Sequence, residues 1–205
     1  MKIGIIGGTG SFGTALAARL KHTGYDVVIG SRDAQRAQAA AAVLGVEGAT
    51  NEDAARVADL IVLATTADSA VETARSLREA IGSTPVLSVA AELNFSKEGV
   101  LPTPEATSIA QRIQEVLDCS VVAGLHSLAA SKIGDETRDE DALVCGDDPD
   151  AKAIVLELAG KVIAGRAIDA GPLASARALE GMTAVIVNVN RRYKAHAGLR
   201  ITGVS

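Results

Sequence analysis

The 205-residue sequence predicts an α/β fold built on a doubly wound parallel sheet, for three reasons. Short, wholly apolar runs bounded by glycine recur along the first two thirds, as strands buried on both faces require. Stretches with apolar residues at helical spacing separate those runs, so the strands are joined as right-handed βαβ units. The pattern Gly8-Thr9-Gly10-Ser11-Phe12-Gly13 stands between the first run and the first helix, where a phosphate-binding turn of the Rossmann type belongs. A small C-terminal α+β portion ending in a long helix completes the expected architecture.

The elements follow in order. Residues 2–7, KIGIIG, form the first strand, and residues 11–22 a helix with Leu16, Ala17 and Leu20 on one face and Gly24 at its C-terminal stop. Residues 26–30 form the second strand, residues 33–44 a helix, and residues 54–58 a further helical stretch before the strand LIVLA at 60–64. A helix over 67–81, a strand over 86–89 and a helix capped by Thr103, with Pro104 at its first position, come next. Strands at 120–124 and 142–145 follow, then a helix with Asp148 as N-cap and Pro149 after it, running to about Val162. Residues 173–197 read as one terminal helix, apolar almost all round between Met182 and Val189. Such a helix needs cover, either from a second subunit, making a homodimer, or from packing under the sheet.

Composition narrows the function. Cys119 and Cys145 form no CxxC pair, and His22, His126 and His196 are too scattered for metal-ligand spacing, so neither a disulfide scaffold nor a structural zinc site is expected. No apolar run approaches the ~20 residues that span a bilayer, and no signal-peptide organisation is present, so a cytoplasmic location without membrane contact is expected. The net charge of −5 argues against a nucleic-acid partner. The charge is uneven, with Arg177, Arg191, Arg192, Lys194 and Arg200 against Glu180 alone beyond residue 175. That basic end reads either as an anion site or as cations favoured at a helix C-terminus.

In the glycine turn, the first glycine permits the bend, the second lets a pyrophosphate approach the backbone, and the third allows close packing, with free helix amides facing the anion. Where an NAD-selective fold places an acid on the ribose 2′-OH, this chain has Ser31 and Arg32, with Arg36 four residues on. A hydroxyl and guanidinium suit a 2′-phosphate, so NADP is expected over NAD. Asp33 reads as a helix cap or as a displaced ribose ligand.

The chain as a whole resembles the NADPH-dependent coenzyme F420 reductases, the F420H2:NADP oxidoreductase family. The resemblance rests on IGGTGSFG (6–13), GSR (30–32), TNEDAARVADLIVLAT (50–65), GLHSLAA (124–130), VCGDD (144–148) and DAGPLASARALE (169–180), the last being the most specific. It implies an NADP-binding Rossmann domain over 1–120 and a deazaflavin-binding and dimerisation portion over 121–205. It implies that the 2′-phosphate is held by Thr9, Ser31, Arg32 and Arg36, and the pyrophosphate by the amides of residues 9–12. The nicotinamide would lie beside Thr65, Ala67, Leu93 and Ala130, and the deazaflavin against His126, Ser127 and Leu128. The family pattern carries proline and a larger residue where this chain has Thr66 and Ala67, and another proline where it has Ala129, which implies either a looser pocket or a different second substrate.

The implied activity is hydride transfer between NADP(H) and coenzyme F420, which asks the protein mainly to stack two rings and exclude water. His126 is then a candidate donor to the deazaflavin's carbonyl side, where negative charge develops; read without the resemblance, a lone histidine at a strand end is more often a structural group. Two other functions share the scaffold: reduction of an imine, ketone or small acid with NADPH, and non-catalytic dinucleotide binding.

Overall fold

The computed structural model describes residues 1–135 and 139–204. Its first half alternates strand and helix: β1 (Lys2–Ile6), α1 (Ser11–His22), β2 (Asp26–Ser31), α2 (Ala34–Leu44), β3 (Glu47–Thr50), α3 (Asn51–Arg56) and β4 (Leu60–Leu63). Then come α4 (Ala67–Ser76), the single turn α5 (Arg78–Ile81), β5 (Val86–Ser88), a hairpin of β6 (Leu93–Phe95) and β7 (Val100–Pro102), and α6 (Ile109–Gln114). The remainder is β8 (Val121–Gly124), β9 (Ala142–Gly146), α7 (Pro149–Val162), β10 (Ala167–Asp169) and α8 (Ala176–Tyr193).

Eight strands form one sheet in the order β10-β9-β8-β5-β4-β1-β2-β3. The six from β3 to β8 reproduce the usual doubly wound arrangement, with β1 at the point where the winding reverses. Ile5 pairs with Ile29 on one side and Val62 on the other, all parallel. The sheet is not parallel throughout, since β9 runs antiparallel to β8. Apolar residues fill both faces, as helices on both sides demand. One layer packs Ile3, Ile5 and Val62 against Leu16 and Leu20 of α1 and Val155 and Leu158 of α7. The other packs Ile6, Ile61 and Leu63 against Ile109 and Ile113 of α6 and Leu179 of α8.

Three expectations are corrected. The helix expected from Thr103 starts instead at Ser108, whose side chain accepts from the Gln111 N–H while the Gln111 side-chain oxygen accepts from the Ser108 amide. Thr103 donates its hydroxyl to Glu92 at 3.1 Å, closing the base of the unexpected hairpin. Strands β3 and β10 were not expected, because EGAT and AID carry no apolar run at the edges of a sheet. The terminal helix is shorter than 173–197: a 3₁₀ turn occupies Leu173–Ser175, and α8 stops where Lys194 adopts the left-handed conformation, φ 51°. Within its apolar stretch only Ala184 is buried, and Val185 is 60% exposed.

Candidate functional site

The site lies beyond the carboxyl ends of the parallel strands, around the turn between β1 and α1. Gly10 is the N-cap of α1 and brings no side chain to its own helix, so the amides of Ser11, Phe12 and Gly13 are left without helical acceptors. These donors and the positive end of the helix dipole suit an anion. Thr14 steadies the turn by donating its hydroxyl to the Gly10 carbonyl at 2.8 Å. Gly13 packs against Gly8 so closely that a Cβ would stand 2.6 Å from the Gly8 Cα, which explains the third glycine. Gly8 donates its N–H to the Ile5 and Gly30 carbonyls, so its place is structural.

A cleft of about 350 Å³ opens beside this turn, lined by Thr9 and Gly10 on one side and Ser31, Arg32 and Arg36 on the other. Ser31 is buried at the end of β2, and its hydroxyl accepts the Asp33 N–H at 3.3 Å. Neither Arg32 nor Arg36 has an ion-pair partner among the described residues, so both guanidinium groups are available to a ligand. Asp33 is engaged as the cap of α2, accepting from Gln35 and Arg36 amides at 2.9 and 3.2 Å. The cleft also recruits Asn51, Ser69 and Thr73, which the sequence did not single out. Asn51 looks like an ordinary helix-start residue, while Ser69 and Thr73 become neighbours only through their spacing of four on α4.

A second cleft of about 270 Å³ borders the first, and Ala64, Thr65 and Thr66 line both. Phe12, Ala67, Ala90, Ala91, His126, Leu128 and Thr183 form its walls. The Thr65 hydroxyl is buried there without a hydrogen-bond partner among the described residues. Leu125 precedes His126 in the left-handed region, φ 65°, a conformation that costs a residue with a Cβ about 1–2 kcal/mol. That strained bend sets His126 beyond β8, and the Thr183 hydroxyl of α8 holds the His126 carbonyl at 3.0 Å. His126 as a residue is 8% exposed, and both ring nitrogens are buried with no hydrogen bond of good geometry among the described residues. Burial lowers its pKa from 6.5 to about 4, weakly opposed by the neighbouring Ala90 backbone, so the imidazole is neutral near pH 7.

Other expected residues fall elsewhere. Ser127 does not line the second cleft; it lines a small cavity together with His126, Leu143, Leu179, Met182 and Leu199. Leu93 in β6 and Ala130 in a 3₁₀ turn line neither cleft. The most distinctive segment of the sequence is structural. Glu180 is buried and its carboxylate accepts from the Ile109 and Ala110 amides at 3.0 and 3.2 Å, capping α6 from another helix. Its pKa is raised by burial, against the two amides and Arg177, which pull it down. Arg177 donates to the carbonyls of Glu105 and Thr103. The basic end is partly engaged too: Arg200 pairs with Asp139, and Arg191 lies 5.5 Å over the Phe95 ring. Both cysteines are free and buried, and burial pushes the Cys119 and Cys145 thiols up to about 11 and 12.

Residues 2–92 match the family model described as NADP oxidoreductase, coenzyme F420-dependent. The chain is 35% identical over 222 residues to the F420-dependent NADP reductase of Methanothermobacter thermautotrophicus, covering all of this chain and 96% of that one. A crystal structure from Arthrobacter sp. FB24, assigned as an F420-dependent NADP reductase, superposes with a TM-score of 0.87 at 28% identity, covering 99% of this chain and 100% of the other. A Streptomyces aurantiacus imine reductase shares the fold, with a TM-score of 0.64 at 24% identity, covering 95% of this chain and 62% of the longer enzyme.

Proposed function

The chain belongs to the F420-dependent NADP reductase family, and we propose that it transfers a hydride between NADP(H) and the deazaflavin coenzyme F420 at its two adjoining clefts. The two coenzymes supply the donor and acceptor ring carbons. What the protein supplies is binding, alignment and exclusion of water. That Ala64, Thr65 and Thr66 line both clefts is the observation that carries the reading, because it sets a ring-sized space directly beside the phosphate turn.

The residues fit the two ligands. The unpaired amides of Ser11, Phe12 and Gly13 receive the pyrophosphate, and Thr9, Ser31, Arg32 and Arg36 receive the 2′-phosphate. The second cleft takes both rings, with the buried Thr65 hydroxyl as an available donor. Neutral His126 donates one N–H to the polar edge of the deazaflavin, where negative charge builds as hydride arrives, and it does so from a site where water does not compete. Leu128 supplies apolar contact in the same wall. Residues 1–120 thus carry the NADP site, and residues 121–205 supply the deazaflavin wall and a dimer surface. The exposed Val185, Val189 and Tyr193 on α8, beside Phe95 and Leu101 of the hairpin, support a homodimer.

The test is to mix the protein with NADPH and oxidised F420 and follow the deazaflavin absorbance. Bleaching is expected. If the absorbance stays while NADPH is seen to bind, the second substrate is not F420 and the reading fails.

A further inference from the structure

Asn51 occupies the crossing between the phosphate turn and the corner that holds Ser31 and Arg32. It is the first residue of α3, reached directly from β3, and is only 9% exposed. Its Oδ1 accepts the N–H of Gly7, the residue that leaves β1, at 3.2 Å. It packs onto Gly30 of β2, where a Cβ would stand 2.9 Å from that same oxygen, so the chain leaves room for the amide. With Oδ1 committed, Nδ2 points elsewhere and has no hydrogen-bond partner among the described residues. Asn51 lines the first cleft together with Thr9, Arg32, Ser69 and Thr73. A nearly buried residue thus presents two uncommitted amide donors to a cleft whose lining combines Arg32, Arg36 and several hydroxyls with Asp33, itself committed as the cap of α2.

We propose that Asn51 is a cofactor-binding residue that ties the phosphate turn to the adenosine corner, Oδ1 holding Gly7 while Nδ2 donates to a ribose or phosphate oxygen of the dinucleotide. This rests on the NADP reading above and deepens it. The two halves of the role are separable because Asn and Asp have the same shape. Asn51→Asp keeps an oxygen toward the Gly7 amide and replaces the donor with an anionic oxygen facing the phosphates.

The experiment measures thermal unfolding of the ligand-free protein and the dissociation constants of NADPH and NADH, at about pH 8 so that the introduced carboxyl is ionised. For Asn51→Asp the ligand-free melting temperature is expected to stay close to the wild type. NADPH binding is expected to weaken by at least about tenfold, the loss of a hydrogen bond to a charged group. NADH should weaken as well, because ribose and pyrophosphate are common to both, unlike the effect of removing Arg32. Wild-type affinity in Asn51→Asp overturns the proposal and leaves the NADP reading standing, whereas wild-type protein that binds no NADPH overturns both. Should Asn51→Asp not fold, Asn51→Ser serves: the NADPH-induced rise in its melting temperature is expected to shrink, and a rise equal to the wild type's overturns the proposal.

Discussion

At the scale of single residues, charge and burial decide what each side chain can do. Arg32 stands unpaired at the cleft where a carboxylate would favour NAD. Arg32→Ala is therefore expected to weaken NADPH by about 10–150-fold, worth ~1.5–3 kcal/mol, and to leave NADH nearly unchanged in a fluorescence titration. Equal losses for the two cofactors would make Arg32 structural. His126 makes a prediction in pH. Its native pKa lies at about 4 against an ordinary 6.5, so between those values the unfolded chain binds a proton that the native protein refuses. Stability should fall as pH drops through that window, by up to about 3 kcal/mol, and be unaffected by this group above it. His126→Asn should flatten that part of the urea-midpoint curve, and it should also lower kcat with F420 while NADPH still binds. The glycines, Ser31, Arg32 and Arg36 were legible in the sequence because they sit beside a strand whose end locates them. Asn51 was not, because its importance comes from Gly7 and Gly30, more than twenty residues away in the chain and brought to it by sheet pairing.

Among the elements, the short helix α6 depends on a carboxylate from elsewhere. Glu180 accepts its first amides inside the protein, so Glu180→Ala leaves buried donors unsatisfied and should cost about 1–3 kcal/mol. Chemical denaturation measures that loss, and Glu180→Gln, which retains an acceptor oxygen, should lose less. NADPH affinity should not move in either variant, since Glu180 lines neither cleft. The strong elements were legible locally: LIVL in β4 is apolar on both faces, and Asp148 followed by Pro149 starts α7 as a cap and first-turn proline should. The helix expected at Thr103 was misplaced because Thr103 and Pro104 satisfy a local rule that a tertiary partner overrides. Glu92 engages the Thr103 hydroxyl and Arg177 its carbonyl, and Ser108 with Gln111 makes the stronger local cap.

For the whole molecule, the open question of surface is settled by which apolar residues find cover. Val185, Val189 and Tyr193 on α8 and Phe95 and Leu101 on the hairpin remain exposed, on two elements that Asn188 ties together through the Val100 N–H and carbonyl at 2.8 and 2.7 Å. Sedimentation is expected to show a dimer at micromolar concentration, and Val185→Asp to shift it to monomer; a wild-type monomer would refute the dimer surface. No described helix is long and apolar enough to cross a membrane, so this face is not part of a spanning helix. The sequence by itself determined the βαβ core, the phosphate turn and the serine–arginine corner, because periodicity and glycine placement act over a few residues and are written locally. Only the tertiary structure decided the antiparallel β9, the hairpin, the cap on α6 from Glu180 and the placing of two clefts on either side of Ala64, Thr65 and Thr66. All but the hairpin depend on groups far apart in the chain competing for the same hydrogen bonds or the same buried space, and the hairpin, local in its own pairing, is fixed to α8 by Asn188, so no local pattern records which partner wins.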